Sequence, residues 1–284
     1  MTRYAKPETV EEALALLAAG SWRVLAGGTD FYPSLGAKPL RENVLDINGL
    51  QALRGISEDT DAWTIGARTT WTDIVRQPLP AAFDGLKAAA REVGSIQIQN
   101  TGTVAGNLCN ASPAADGVPP LMTLDAEVEL ASKTGRRRLR LEEFVLGNRK
   151  TGRRTEELLV AIRIPRLSAA GRSAFVKLGA RRYLVISIAM VAARIAVDGD
   201  GRIAQAAIAV GACSAVARRL PELESDLIGR PAGGRLGDIV EDRHLWRLSP
   251  IDDVRGSAAY RRAAAREIVA RALSAATARE ALAA

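Results

Sequence analysis

The sequence predicts an α+β protein of two domains, and three observations lead there. A short apolar run, Trp22 to Ala26, stops at Gly27-Gly28 and passes into residues able to open a helix, the order of strand, tight turn and helix. Apolar runs flank turn signals in three places, each read as a hairpin: Leu53 to Ser57 with Ala62 to Ile65, Leu124 to Ala131 with Arg137 to Leu141, and Ala189 to Val197 with Arg202 to Gly211 around Asp198-Gly-Asp-Gly201. From Ser257 to about Ala278, Arg and Glu alternate with Ala, Ile, Val and Leu at helical spacing. A length of 284 residues is enough for two cores.

The remaining elements follow in order. Thr9-Val-Glu-Glu12 has capping-box spacing, with a helix through Val10, Ala13, Leu14 and Leu17 that Gly20 stops. Asp30 is placed to cap a helix that Phe31 begins, a short helix or loop runs through Leu35, and Asn43 to Ile47 reads as a strand. Thr70-Trp-Thr-Asp73 opens another helix, and Pro80 to Gly94 holds a third. Leu141 to Leu146 is a helical turn, and Leu158 to Ile164 is a strand ended by Pro165. Ser168-Ala-Ala-Gly171 marks the boundary between a domain of residues 1–170, with lobes of about 1–55 and 56–170, and a second of 171–284.

Composition excludes several functions. No apolar run reaches the ~18 to 20 residues of a membrane span, and the N-terminus has no signal-peptide core, so a cytoplasmic protein is expected. Cys109 and Cys213 are too few for an iron–sulfur cluster, and a lone His244 argues against a His-rich metal site. Cys213, at the end of an apolar strand, is expected to be a buried structural thiol. The net charge of +7 is dispersed, and its densest run, Lys133 to Arg140, surrounds a Thr-Gly turn with no aromatic residue interleaved. Without a stacking platform, nucleic-acid binding is not expected; docking to an acidic partner subunit, or solubility, accounts for the charge.

Two stretches carry the chemistry. Residues 96–121 read as a long binding loop, in which Gly102 and Gly106 leave room for a ligand and allow positive φ. Its short polar side chains, Asn100, Thr101, Thr103, Asn107, Asn110, Ser112 and Asp116, suit a ligand rich in phosphates and hydroxyls. Val24 to Phe31 supplies a glycine turn whose backbone N–H groups can hold a pyrophosphate with no Lys or Arg in contact. It is neither the ordinary dinucleotide fingerprint nor a P-loop.

Taken together, Ala26-Gly-Gly-Thr-Asp30, Thr101-Gly-Thr-Val-Ala-Gly-Asn107 and Asn110-Ala-Ser-Pro-Ala-Ala-Asp116 resemble the FAD-binding medium subunits of the molybdenum hydroxylases. The stretches Arg149 to Pro165 and Phe175 to Ala192 fit the same family's order, so the resemblance covers nearly the whole chain. It implies a two-lobed FAD-binding domain of the vanillyl-alcohol-oxidase (PCMH) type, followed by a C-terminal α+β domain with a small antiparallel sheet and helices.

By that resemblance the backbone of Ala26, Gly27, Gly28, Thr29 and Asp30, leading into Phe31, holds the FAD pyrophosphate. Thr29 adds a hydroxyl and Leu25 lies against the flavin. Thr103, Gly106 and Asn107 reach phosphates and ribityl chain, with Asn110 in the same loop and Ser112 one layer back. Asp116 matches an acid that binds a sugar hydroxyl, and Val93 and Gly94 fall near the adenine. Leu159 is an apolar contact to the nucleotide or a core strand residue; Asn107 could equally brace its loop, and Asp116 could cap the turn before Pro119. Ala105 stands where the family commonly has glycine, and Ile188 where one branch has a lysine near the adenine. Lys177, Arg181 or Arg182 could substitute for that lysine or be solvated charges, and Tyr183 could cover the flavin ring or simply pack. Neither His244 nor Cys109 is an attachment site in the family, so the resemblance implies non-covalent FAD, with Cys109, next to the binding loop, keeping a covalent link open.

The function implied is electron transfer within a heterotrimer. A molybdopterin-containing large subunit oxidises the substrate, [2Fe–2S] clusters on a small subunit relay the electrons, and FAD on this chain passes them to NAD+, oxygen or another acceptor. A dimer of heterotrimers is the implied assembly, and the chain itself needs no general acid or nucleophile. Two alternatives stay open: a self-sufficient FAD oxidoreductase of the vanillyl-alcohol-oxidase type, and a non-catalytic scaffold with the same fold.

Overall fold

In the computed structural model, residues 2–278 are described. They divide into two compact units. The first takes in the chain up to Gln77 together with Val93–Ser112 and Ala126–Arg166; the second takes in Pro78–Glu92, Pro113–Asp125 and the chain from Leu167 on.

The first unit begins with a small parallel sheet, β1 (Tyr4–Ala5), β2 (Arg23–Leu25) and β3 (Val44–Asp46), in the order β1-β3-β2. Parallel neighbours cannot be joined by a tight turn. The helices α1 (Val10–Ala19) and α2 (Phe31–Leu35) therefore carry the chain between them. Thr9 caps α1, its hydroxyl accepting from the Glu12 N–H at 3.2 Å, while the Glu12 carboxylate takes the Glu8 N–H rather than that of Thr9. Leu25, Phe31 and Val44 close the core of this lobe. Asp30 stands immediately before α2, but its side chain makes no capping hydrogen bond, contrary to the sequence reading.

A five-stranded antiparallel sheet completes the unit. It comprises β4 (Ile56–Glu58), β5 (Ala62–Gly66), β6 (Glu127–Ser132), β7 (Gly135–Arg140) and β10 (Leu158–Pro165), ordered β4-β5-β10-β6-β7. The helices α3 (Trp71–Arg76), α5 (Ile96–Thr101), α6 (Val104–Asn110) and α8 (Leu141–Phe144) and a small hairpin, β8 (Val145–Gly147) with β9 (Lys150–Thr151), belong to the same unit. Thr70 and Asp73 form a reciprocal capping box at the start of α3. The basic run on β7 is met by acids, Arg136 and Arg138 pairing with Glu129, and Arg137 with Glu157 at 2.6 Å.

The second unit is built on an antiparallel meander of β11 (Arg172–Leu178), β12 (Ala189–Val197), β13 (Ile203–Gly211) and β14 (Arg218–Arg219). The helices are α4 (Asp84–Glu92), α7 (Val118–Thr123), α9 (Pro221–Leu227) and α10 (Ala258–Thr277). From Ala189 to Ala196 every residue of β12 is buried, because both faces of the sheet are covered. Ala189, Val191, Ala193 and Ile195 pack with residues of α9 and α10, and α7 packs on β12 and β13. Arg194 is a buried exception on this strand. It donates to the Thr123 carbonyl at 2.6 Å and to Gln205 at 3.0 Å, while Arg219 donates to the Met122 carbonyl at 2.9 Å. Two guanidinium groups thus satisfy the last carbonyls of α7.

Residues 96–121, expected as a long loop, hold three short helices, α5, α6 and α7. At six or seven residues, none is long enough to display an amphipathic repeat, and such helices depend on tertiary burial. Val104, Leu108 and Leu121 supply that burial. Cys213 is fully buried, as its place after an apolar strand suggested.

Arg261 anchors α10 from inside, donating to the Ile188 carbonyl at 2.9 Å, the Ala212 carbonyl at 3.0 Å and the Asp253 carboxylate. The Arg255 backbone N–H, followed by the Arg261 and Arg255 guanidinium groups, lowers the Asp253 carboxyl from 3.8 to about 2. A depressed carboxyl stabilises the fold above its ordinary value, and that contribution disappears as pH falls through about 2. Urea midpoints taken across this acid window are expected to drop more steeply for the wild type than for Asp253→Asn; equal slopes would contradict the assignment.

Candidate functional site

The glycine turn after β2 is fixed by a close approach of two backbones. A Cβ on Gly27 would lie 1.9 Å from the Thr101 carbonyl oxygen, so only glycine lets the turn lie against the end of α5. Gly28 has φ 75°, the left-handed region, and the ring of Tyr32 lies where its Cβ would be. Asn48 holds the turn from the other side, donating to the Ala26 carbonyl at 2.8 Å and to Asp46 at 2.8 Å, and Tyr4 donates to Asp46 at 2.6 Å. Among the described residues, no hydrogen bond uses the backbone N–H groups of Gly27, Gly28, Thr29 or Asp30, and the Thr29 hydroxyl has no partner. Successive free N–H groups through a left-handed glycine make a concave anion site.

The second motif is stitched beside it. The Trp71 N–H donates to the Gly102 carbonyl at 3.1 Å, and the Val104 N–H donates to the Thr69 carbonyl at 3.0 Å. Thr103 is the N-cap of α6, its hydroxyl accepting from the Gly106 N–H at 3.0 Å. Neither glycine is open on its Cβ side: the Ile98 carbonyl and the Thr29 hydroxyl lie there beside Gly102, and the Thr103 hydroxyl beside Gly106. Nor does Gly102 use positive φ, since it sits at −61°. Asn107 is different, because its Oδ1 is buried in the middle of α6 with no donor from the protein. Asn110 ends α6 before Ala111, which turns the chain in the left-handed region, and Ser112 is half-buried just beyond.

The other expected residues of this unit fall as follows. Val93 and Gly94 make the turn into α5. Leu25 and Phe31 are buried in the small lobe's core, and Leu159 is buried in the sheet at the β10 bulge opposite Leu130. Ala105 is buried in α6.

In the second unit, Asp116 and Lys177 form a buried ion pair at 2.7 Å. The second oxygen of Asp116 accepts from the Ser187 hydroxyl at 2.6 Å, and Lys177 also donates to the Glu92 carbonyl at 3.4 Å. Burial pushes the Asp116 carboxyl up, while Lys177 and Ser187 pull it down. Ser187, which sequence reasoning did not single out, is fully buried; the only hint was a hydroxyl interrupting the apolar run Val185-Ile-Ser187-Ile-Ala. Lys177 lines a cleft of about 430 Å³ with Glu92, Phe175, Arg181 and Arg182. Arg181 folds back on the carbonyls of Tyr183 and Leu184, and Arg182 lies over the exposed Tyr183 ring. Ile188 is buried, its carbonyl held by Arg261. His244 is buried too, accepting from the Glu241 N–H and facing Asp226 at 3.1 Å.

A family model described as the FAD binding domain in molybdopterin dehydrogenase matches residues 1–167, and one described as the CO dehydrogenase flavoprotein C-terminal domain matches 174–276. The chain belongs to the FAD-binding medium subunits of the molybdenum hydroxylases. It is 34% identical over 233 residues to the nicotinate dehydrogenase FAD-subunit of Eubacterium barkeri, across 79% of each chain. It is 30% identical over 284 residues to the carbon monoxide dehydrogenase medium chain of Hydrogenophaga pseudoflava, across 97% of each. A solved carbon monoxide dehydrogenase from that organism, lacking the Mo-pyranopterin moiety of its cofactor, superposes with a TM-score of 0.87 at 30% identity, over 97% of this chain and 96% of the other. The α+β fold expected from the sequence, an FAD-binding domain followed by a C-terminal domain, is that of this oxidoreductase family.

The residues of this medium subunit fit FAD. Free N–H groups in a row suit a pyrophosphate, and a buried Asn107 oxygen without a donor suits a ligand hydroxyl. The two glycines separate by substitution. Gly27→Ala drives a methyl into fixed backbone and is expected to cost ~3 kcal/mol of stability. Gly28→Ala meets the movable, exposed Tyr32 ring, touches Leu25 at ordinary contact distance and takes a left-handed φ, costing ~1 kcal/mol. Urea titrations of the two variants should rank them in that order, and the reverse order would refute the packing argument.

Proposed function

We propose that this chain is the FAD-carrying electron-transfer subunit of a heterotrimeric molybdenum hydroxylase. Electrons arrive from [2Fe–2S] clusters of a small subunit, after substrate oxidation on a molybdopterin-containing large subunit, and leave to NAD+, oxygen or another acceptor. The observation that carries this reading is the row of unclaimed N–H groups from Gly27 to Asp30. When bound, FAD supplies chemistry that accepts electrons singly and releases them in pairs.

The chain's own residues bind and orient. The Gly27 to Asp30 backbone and the Thr29 hydroxyl hold the pyrophosphate through directed hydrogen bonds, with Ala26 shaping the turn and Leu25 and Phe31 fixing it from the lobe's core. Thr103, Gly106, Asn107 and Asn110 attend the phosphates and ribityl chain, Ser112 supports them, Val93 and Gly94 lie by the adenine, and Leu159 shapes the nucleotide pocket. Asp116 accepts from a sugar hydroxyl, and Lys177 and Tyr183 complete the set. Attachment is non-covalent, as the family pattern implies; His244 is committed to Glu241 and Asp226, while the exposed thiol of Cys109 in α6 is the alternative attachment point. The organisation is an FAD-binding domain of residues 1–170 and a C-terminal domain of 171–284, in a cytoplasmic dimer of heterotrimers. Among the described residues no helix is long and apolar enough to cross a membrane.

An absorbance spectrum of the purified chain before and after acid precipitation tests the central point. Flavin bands that move to the supernatant are expected; a colourless protein that takes up no added FAD would sink the proposal. Asn107→Leu adds a sharper check. It removes an orphaned buried oxygen, so the apo-protein's stability should stay within ~0.5 kcal/mol, while FAD affinity falls about tenfold.

A further inference from the structure

The small parallel sheet ends where the glycine turn begins, all within the first unit. Leu25, the last residue of β2, lies opposite Asp46, the last residue of β3, so the Ala26 carbonyl falls just beyond the ladder. Its donor is a side chain, the Asn48 amide at 2.8 Å. The same amide nitrogen gives its second proton to Asp46 Oδ1 at 2.8 Å, which also accepts the Asn48 backbone N–H at 2.9 Å. Tyr4, on the neighbouring β1, donates to the other oxygen of Asp46. Asp46 is 7% exposed, all three donors are neutral, and among the described residues it has no ion-pair partner. Capping the short helical turn Ile47–Gly49 needs only the Asn48 N–H. The hold on the Asn48 side chain goes beyond a cap.

Peptide geometry gives that hold a consequence. The Ala26 oxygen and the Gly27 N–H belong to one planar trans unit and point in opposite directions. Gly27 begins the row of unclaimed N–H groups. We infer that Asp46 and Asn48 are positioning residues that lock the Ala26–Gly27 peptide plane and so aim the Gly27 N–H at the FAD pyrophosphate. The inference rests on the FAD reading above. Both protons of the Asn48 amide are committed, and Asp46, an acceptor only, keeps the amide from turning its oxygen toward Ala26. The charge of Asp46 by itself disfavours an anion nearby, because like charges repel. Its role as acceptor and its field therefore predict opposite effects of removing it.

FAD titrations of the full chain, together with amide nitrogen relaxation of its apo form, test this. The Gly27 amide should have an order parameter near ~0.85 in the wild type and below ~0.6 in Asn48→Ala, with β2 and β3 unchanged. FAD should bind Asn48→Ala about tenfold more weakly, the worth of one hydrogen bond to a charged group. Asp46→Ala should show the same loss although a negative charge has gone, and the double variant no more than either. Asp46→Asn, which keeps an oxygen for the Asn48 amide, should restore binding to within ~3-fold of wild type. Thermal melts of each apo-protein establish folding. Should Asn48→Ala fail to fold, Asn48→Ser, whose side chain is too short to bridge Asp46 and Ala26, takes its place with the same expectation. Tighter FAD binding by Asp46→Ala would show that the carboxylate acts through its field and overturn the positioning role. A Gly27 order parameter that stays near ~0.85 in Asn48→Ala would overturn it whatever the affinity, while leaving wild-type FAD binding intact. A wild type that takes up no FAD would overturn both.

Discussion

The turn at Gly27 depends on one steric fact, that a carbonyl oxygen occupies the space a side chain would need. Thr101 can close on the turn only because Gly27 has no Cβ, and the same approach brings the end of α5 beside the strand-turn-helix of the small lobe. With the turn held on one side by this packing and on the other by Asn48, its N–H groups point away from any protein acceptor. Backbone donors fixed in this way need no reorganisation when an anion arrives, which is how binding can proceed without a lysine or arginine at the turn.

The second unit solves a different problem with different means. Its sheet is covered on both faces, so the charged groups within it must be fully partnered. Arg194 and Arg219 close the end of α7, Arg261 ties α10 to the edges of β12 and β13, and His244 joins two turns to α9 through Asp226. Each of these takes protein partners, although the Nε of Arg261 is buried without one. The Asp116, Lys177 and Ser187 group differs in keeping spare acceptor positions beside a cleft that Lys177 lines. That combination separates it from the structural ion pairs.

In a subunit that binds FAD the cofactor brings the reactivity, and the protein supplies position and electrostatics. Neutral donors at the turn suit a pyrophosphate. The polar residues collected in the sequence therefore divide in the structure. Thr103 turns inward to cap α6, Asn100 bonds with Thr72, and Asn107 keeps an unclaimed oxygen.

Local chemistry in the sequence determined much of this protein. The three hairpins, the helix from Ser257, the stop at Gly20 and the glycine turn all follow from turn residues, caps and periodicity, which act over a few neighbours. The motif order resembles that of FAD-binding medium subunits, and the small polar residues on glycine-rich backbone that carry the resemblance are local features. Tertiary structure decided what distance in sequence conceals. Residues 96–121 became three short helices because burial of Val104, Leu108 and Leu121, not periodicity, stabilises such short segments. Gly27 proved to be required by Thr101, 74 positions away, and not by φ. Asp116 acquired Lys177 and Ser187 as partners only when β11 and the start of β12 came alongside it. Steric fit and ion pairing act through space, and a single sequence read in order carries no record of which residues will meet.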